Sequence, residues 1–320
     1  MASVVVTGIT GQDGSYLAER LTGDGWDVHA IVREGTRPDE QEVTPGVTVH
    51  AGDLLDTDSL RAVIDSVEPD LIINLAGISS VAQSWTQPEL TARVTGLAVS
   101  GLLAGAWALQ ERLGRPVRFV QASSSEMFGA ATERPQTENT PLKPVSPYGA
   151  AKAYAHHLVG VYRGRDLFAA SAILYNHESP RRPETFVTRK ITSGVARIVN
   201  GDEPKLLLGN LDARRDWGWA PDYVDAVLRI AQANTADDFI VATAVEHSVR
   251  DFVAAAFAAA GIADWEGFVE LDPRFARPVD APVMVGDNTK IRTTLGWVPT
   301  RSFDEIVQAM VAHDLELRSS

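Results

Sequence analysis

Two residues in the stretch SPYGAAK, Tyr148 and Lys152, stand four positions apart. On a helix that spacing puts both on one face, one turn apart. A nearby ammonium favours a phenolate and lowers a tyrosine's pKa, so the pair could run acid–base chemistry near neutral pH. Upstream, QASSSEMFG offers hydroxyls at Ser123, Ser124 and Ser125, followed at once by the carboxylate of Glu126. A carboxyl group beside both a carbon acid and a leaving hydroxyl can serve each in turn. Near the start, Gly8, Gly11 and Gly14 give the spacing G-x-x-G-x-x-G directly after Val4-Val5-Val6. In such a turn one glycine makes the bend, one admits a pyrophosphate to the backbone, and one lets helix and strand pack closely. The N-terminus of the helix that follows then offers unpaired N–H groups to phosphate.

These residues need a scaffold that gathers them. Short β-branched runs at Ser3–Thr7, Asp27–Val32, Val47–Ala51, Leu71–Leu75, Arg118–Ala122 and Ala169–Leu174 alternate with helical patterns near Gly14–Gly23, Asp58–Ser66, Leu97–Arg112 and Tyr148–Tyr162. That alternation predicts an α/β fold with a doubly wound, mostly parallel Rossmann-type sheet. Residues 1–175 form the expected dinucleotide-binding domain, with segments near 220–245 and 280–297 returning to it. Residues 176–320 form mainly a smaller, interleaved C-terminal substrate lobe. In such sheets chemistry gathers at the carboxyl ends of the strands, where the serines, Arg33 and Asp53 all fall. Arg33 ends the second strand in HAIVREG and would suit a 2′-phosphate, which favours NADP over NAD, although Glu34 beside it could meet a ribose hydroxyl instead. Asp53, in GDLLD, could meet an adenine or could simply cap a helix.

The chain has 320 residues, of which 45% are hydrophobic and 22% charged, and a formal net charge of −13. An acidic surface of that size argues against non-specific binding to nucleic acid or anionic membranes. There is no cysteine, which removes thiolate metal sites, disulfides and a cysteine nucleophile. The N-terminus lacks a basic, apolar leader pattern, and no apolar run reads as long enough to span a bilayer. The expected setting is cytoplasmic.

The order of glycine turn, strand-end serine, and Tyr/Lys resembles the extended short-chain dehydrogenase/reductase superfamily over nearly the whole chain. More closely, TGITGQDGSYLAE, SSSEMFG, SPYGAAK, NHESPRR, FVTRKI, GNLDARRDWG, and DPRFARP followed by LGW are similar to the GDP-mannose 4,6-dehydratase family. The resemblance implies a catalytic set of Ser124, Glu126, Tyr148 and Lys152. It implies NADP contacts at Gly8, Gly11, Gln12, Asp13, Gly14, Arg33, Asp53, Leu54, Leu75, Ala76, Gly77, Ser79, Tyr148, Lys152, His177 and Arg182. It implies GDP-mannose contacts at Ser84, Glu126, Asn176, Lys190, Arg215 and Arg277, where cationic forks match a diphosphate. The implied reaction is transient oxidation at sugar C-4, loss of water across C-5 and C-6, and return of the hydride.

Some positions depart from the family pattern. Ser124 stands where the family usually has Thr, and AGISSV replaces G-A-Q-S-H-V. Leu90 replaces a Tyr, and Phe128-Gly129 replaces Tyr-Gly. After Arg33 a longer Arg/Ser-rich segment that reaches a neighbouring subunit is replaced by the short, acidic EGTRPDEQEVTPG. A homodimer is therefore expected, with the family's homotetramer as the larger alternative. Two further enzymatic activities stay open on sequence: a GDP-4-keto-6-deoxy-mannose reductase, which would consume NADPH and would not need Glu126, and a 4,6-dehydratase for another nucleotide sugar. A nucleotide-binding regulatory protein is the non-enzymatic alternative, and the intact Ser124, Glu126, Tyr148 and Lys152 argue against it. The plainer alternative for Arg214 and Arg215 is a salt bridge to Asp212 or Asp216.

Overall fold

The computed structural model describes residues 1–33, 35, 43–275 and 283–319. Seven strands form the main sheet: β1 (Ser3–Thr7), β2 (Asp27–Val32), β3 (Val47–Ala51), β4 (Leu71–Asn74), β5 (Arg118–Ser124), β6 (Phe168–Leu174) and, after three strands of the second lobe, β10 (Asp238–Val241). Their order is β10-β6-β5-β4-β1-β2-β3, and every neighbouring pair is parallel. The chain reverses its direction of travel across the sheet between β1 and β4, and a crevice opens at the carboxyl ends of the strands at such a reversal.

Burial on both faces explains the apolar strands. Along β1, Val4 and Val6 join one core while Val5 joins the other, the alternation that a pleated strand imposes. The first core is closed by α1 (Gln12–Gly23), through Leu17 and Leu21, and by Tyr223, Val224 and Val227. The second is closed by α2 (Thr57–Val67), the long helix Pro88–Leu113, and the helix Pro147–Arg163. A short helix, α3 (Val81–Thr86), precedes the long one, which joins α4 (Pro88–Thr91), a π-helical stretch Ala92–Leu97, and α5 (Ala98–Leu113). The long helix starts well before the predicted Leu97. By length and composition it could cross a bilayer, contrary to the sequence reading, but 56% of its apolar window is buried inside the protein. The helix Pro147–Arg163 is α6, capped by Ser146, whose hydroxyl accepts from Gly149 N at 3.0 Å.

The second lobe contains β7 (Asn176–Glu178), β8 (Leu206–Leu208), β9 (Arg214–Trp219), β11 (Glu246–Ser248), β12 (Val269–Leu271) and β13 (Val283–Met284). β9 is its centre, pairing with β7, β11 and β13. Helices α7 (Val187–Val199), α9 (Val249–Ala259) and α11 (Phe303–Ser319) surround a third core containing Trp217, Phe252 and Met310. Between them in sequence, β10 joins the main sheet while α8 (Ala220–Gln232) and α10 (Thr289–Leu295) pack against it, and all three contribute to the first core.

The glycine turn is fixed by contact. A Cβ on Gly14 would lie 2.1 Å from Gly8 O and 2.5 Å from Ile9 Cα. Gly14→Ala should therefore force β1 and α1 apart and cost more than about 3 kcal/mol, the range of severe overpacking. Gly23→Ala, on the same helix with nothing within 4 Å, should be neutral or stabilising by up to about 1 kcal/mol. Urea unfolding of the two variants checks the contrast, and similar midpoints would refute it.

Candidate active site

The turn after β1 holds Gly8 at φ +76°, and a Cβ there would stand 2.8 Å from Ala76 N. The strand-end backbones of β1 and β4 thus touch, and only glycine fits. α1 begins at Gln12, two residues earlier than the sequence pattern suggested, with Gly11 as an N-cap that supplies no side-chain hydrogen bond. A Cβ on Gly11 would meet nothing closer than Gly8 O at 3.4 Å. The first turn of α1 therefore keeps unpaired N–H groups behind an unobstructed backbone, which is what a bound pyrophosphate requires.

Gln12 and Asp13 tie this turn to β7 and the loop after it. Gln12 Nε2 donates to His177 O at 3.1 Å, and Ser179 Oγ donates to Gln12 Oε1 at 2.9 Å. His177 Nδ1 donates to Tyr175 O at 2.7 Å, while Nε2 lies 2.9 Å from Asp13 Oδ2. Both ring nitrogens face acceptors, an arrangement that favours the imidazolium paired with a carboxylate. Burial opposes both charges. Asp13 nonetheless raises His177 above the ordinary imidazole value, and His177, then Arg182, holds Asp13 below the ordinary carboxylate value. The ring also stacks on Tyr223 at 4.5 Å.

Ser124 ends β5, two residues further than predicted, and caps the 3-10 turn Ser125–Met127 by accepting from Glu126 N at 3.3 Å. Tyr148 opens α6 beside it, close enough for the Ser124 hydroxyl to act on the phenol. α6 can approach because a Cβ on Gly149 would fall 2.5 Å from Glu126 O. Burial pushes the Tyr148 phenol up to about 12. The Ser124 hydrogen bond opposes this, and the Glu126 charge adds to it. This corrects the expectation that Lys152 would lower it. The Lys152 ammonium donates to Ala122 O at 2.8 Å, with Nζ 5.8 Å from the Tyr148 ring centroid, and burial lowers its own pKa to about 8.

Arg182 completes this cluster. Its Nε lies 3.3 Å from Glu178 Oε2 and its guanidinium stacks on Phe186 at 3.8 Å, while its charge acts on Asp13, Tyr148 and His177. The fold thus joins Gln12, Asp13, Ser124, Glu126, Tyr148, Lys152, His177 and Arg182 through bonds or close charges.

Other predicted residues lie around it. Leu75, Ala76 and Gly77 follow β4, with Leu75 N and Ala76 N donating to Thr7 O and Thr7 Oγ1, both at 3.2 Å. Ser79 is exposed just before α3. Arg33 is exposed at the end of β2, while Glu34 and Arg277 fall outside the described residues. Asp53 accepts from Leu55 N at 2.9 Å in a local turn, and the cap of α2 is Asp56 instead. Leu54 packs on the second core. Ser84 is fully buried and donates to Val81 O at 2.7 Å. Asn176 begins β7. Lys190 Nζ lies 3.1 Å from the Phe275 ring centroid, and burial lowers its pKa. Arg215 is buried in β9 and donates to Arg214 O at 2.7 Å. Arg214 pairs with Glu246 at 2.8 Å, whereas Asp212 pairs with Arg250 and Asp216 accepts from Thr243 and Ala244.

Sequence reasoning missed a polar ladder at the strand ends. Thr7 Oγ1 donates to Asn74 Oδ1, Asn74 Nδ2 to Gln121 Oε1 at 2.8 Å, and Gln121 Nε2 to Ala122 O at 2.8 Å. Ala122 O also receives Lys152. Polar residues closing two adjacent apolar strands, and a glutamine inside the third, were the available signal.

The model of the family described as GDP-mannose 4,6 dehydratase matches residues 5–310. The chain is 44% identical to GDP-mannose 4,6 dehydratase 2 of Arabidopsis thaliana, covering 98% of this chain and 87% of that one. It is 42% identical to the human GDP-mannose 4,6 dehydratase, covering 98% and 91%. Among solved structures it is similar to the UDP-glucose 4-epimerase of Thermus thermophilus in complex with NAD, with a TM-score of 0.83, 26% identity and 98% of both chains covered. The glycine turn, the Ser124–Glu126–Tyr148 cluster and a match over nearly the whole chain together show that this protein belongs to the GDP-mannose 4,6-dehydratase family.

Proposed function

We propose that the protein converts GDP-mannose to GDP-4-dehydro-6-deoxy-mannose and water with NADP as cofactor. The observation that carries this reading is Glu126, held next to Ser124 on the strand-end turn and acting on Tyr148. A carboxylate there has no task in a simple reductase. The pyrophosphate turn, Arg182 and Lys152 suit a nicotinamide dinucleotide, and Arg33 suits its 2′-phosphate. Arg215 and Lys190, with Arg277 from outside the described residues, suit the GDP diphosphate; Asn176 suits the sugar side, whereas the buried Ser84 spends its hydroxyl on Val81 O.

Bound NADP supplies a hydride acceptor that later becomes the donor, and in its oxidised form a positive charge that favours the Tyr148 phenolate. Tyr148 takes the proton of the C-4 hydroxyl, while Ser124 hydrogen-bonds the same oxygen. The resulting 4-ketone acidifies the C-5 proton. Glu126 removes that proton and delivers one to the departing C-6 hydroxyl, which leaves as water. A proton finally returns to C-5. Lys152 holds positive charge on the Ala122 side of the phenol, and Asp13–His177 fixes the turn that faces the phosphates.

Purified protein mixed with GDP-mannose and followed by mass spectrometry should lose one water with no net change in NADPH. Glu126→Gln should slow that loss by about 10²–10⁴, the scale of one acid–base group. Dehydration at the parent rate in this variant would remove Glu126 from the mechanism, and stoichiometric consumption of NADPH would favour the reductase.

Burial lowers Lys152 to about 8, so its charge is present at neutral pH and lost as pH rises through that value. NADPH affinity, measured by fluorescence titration, should weaken several-fold from pH 7 to pH 9. Lys152→Met should bind weakly at both values, with the pH effect gone.

The quaternary reading is a homodimer. Leu97, Tyr154 and Val161 are 51%, 43% and 59% exposed and lie on the long helix and α6, which pack side by side. Two copies of this face are complementary by symmetry. Val161→Glu should shift the protein to monomer in analytical ultracentrifugation, and an unchanged dimer would place the interface elsewhere. The tetramer alternative turns on the segment after Arg33, which lies mostly outside the described residues. Without cysteine and with an acidic surface, the chain suits the cytoplasm, with neither nucleic acid nor membrane as a partner.

A further inference from the structure

The stretch FVTRKI contains Lys190, but the more deeply buried cation there is its neighbour. Arg189, in the first turn of α7, is 8% exposed, and its partner Asp314, on α11, is 3% exposed. Arg189 Nε donates to both Asp314 oxygens at 2.9 and 3.0 Å, and Nη2 bonds Oδ1 as well. The other arm of the fork turns away from the carboxylate. Nη1 donates to Pro180 O at 2.5 Å and to Arg182 O at 3.1 Å.

A buried ion pair is a poor way to join two helices, because apolar residues of similar size often do as well or better. The use of this one lies in the two carbonyls. They belong to the loop after β7, whose side chains face the site: Ser179 bonds Gln12, Arg181 bonds Ser15 and Glu19, and Arg182 acts on Asp13 and Tyr148. The loop backbone is gripped from behind by Arg189, which Asp314 in turn orients.

We propose that Arg189 and Asp314 are a positioning pair through which the C-terminal helix sets the Arg182 loop against the cofactor pocket. Neither residue touches the reacting atoms. The proposal rests on reading this pocket as an NADP site.

Arg189→Lys separates the two roles. An ammonium can still face Asp314, but it lacks the planar fork that reaches carboxylate and carbonyls together. The full-length variant should unfold near the parent temperature, yet bind NADPH on the order of tenfold more weakly, the scale of one charge-assisted hydrogen bond. Amides of residues 179–186 should exchange hydrogen faster. Arg182→Gln should weaken NADPH binding too, and adding Arg189→Lys to it should cause little further loss. Thr300→Val, which deletes a 2.7 Å bond to Asp222 at the other end of α11, should lower the melting temperature without changing NADPH affinity. If Arg189→Lys fails to fold, Asp314→Asn should give the same affinity loss and faster exchange. Parent-like affinity and exchange, or additive losses in the double variant, would overturn the clamp alone. A parent protein that does not bind NADPH would overturn the cofactor reading and the proposal with it.

Discussion

The site depends first on how closely two strand ends approach. The backbone of Gly8 lies against that of Leu75 and Ala76, and Gly14 lies against Gly8 and Ile9, so closely that a single methyl group would separate them. That contact aims the start of α1 into the crevice between β1 and β4, with its first N–H groups unpaired. Were the turn looser, the helix would still form, because its apolar residues Leu17 and Leu21 still need the core. Its positive end would no longer face the place where the other strands deliver their side chains.

Charge is then placed by burial and pairing together. Asp13 lies in the first turn of α1 and would be costly to bury alone. It is balanced by His177, whose other nitrogen is held by Tyr175 O, and by Arg182. Tyr148 and Lys152 show the opposite balance. Burial pushes the phenol up and the ammonium down, so in the protein alone both groups are shifted toward their neutral forms. Such a phenol holds its proton until a positive charge arrives, which couples its use as a base to an occupied pocket.

The second lobe contributes more than a covering. β7 follows β6 after Tyr175 and pairs with β9, so the carboxyl end of β6 leads straight into the central sheet of the lobe. His177 and Glu178 sit on that connection. Asp216, in the middle of β9, is fully buried and raised to about 6 by burial, against hydrogen bonds from Thr243 and Ala244. Ala244 has φ +66°, a left-handed conformation that needs such support. This carboxyl ties the end of β10 to the lobe and keeps the two halves of the site in register.

The amino-acid sequence by itself determined the inner strands, because parallel strands buried on both faces are written as β-branched runs; β1 and β2 lie where those runs lie, and the edge strand β3, though largely exposed, was legible from its alternating valines. It also determined the glycine turn and the Tyr148–Lys152 spacing, both of which are local. Family-specific stretches led to a substrate class that residue chemistry alone would have left open. Helix starts were less legible: α1 begins at Gln12 because an uncapped glycine can precede it, and the long helix begins as early as Pro88 because proline is tolerated in a first turn. Only the tertiary structure decided the partners of charge. Asp13 meets His177 across 164 positions, and Arg189 meets Asp314 across 125. Spacing along a chain cannot specify such meetings, because they arise where elements far apart in sequence pack together: α1 against β7, and α7 against α11. The direction of the Tyr148 shift was decided in the same way, since desolvation depends on everything packed around the phenol.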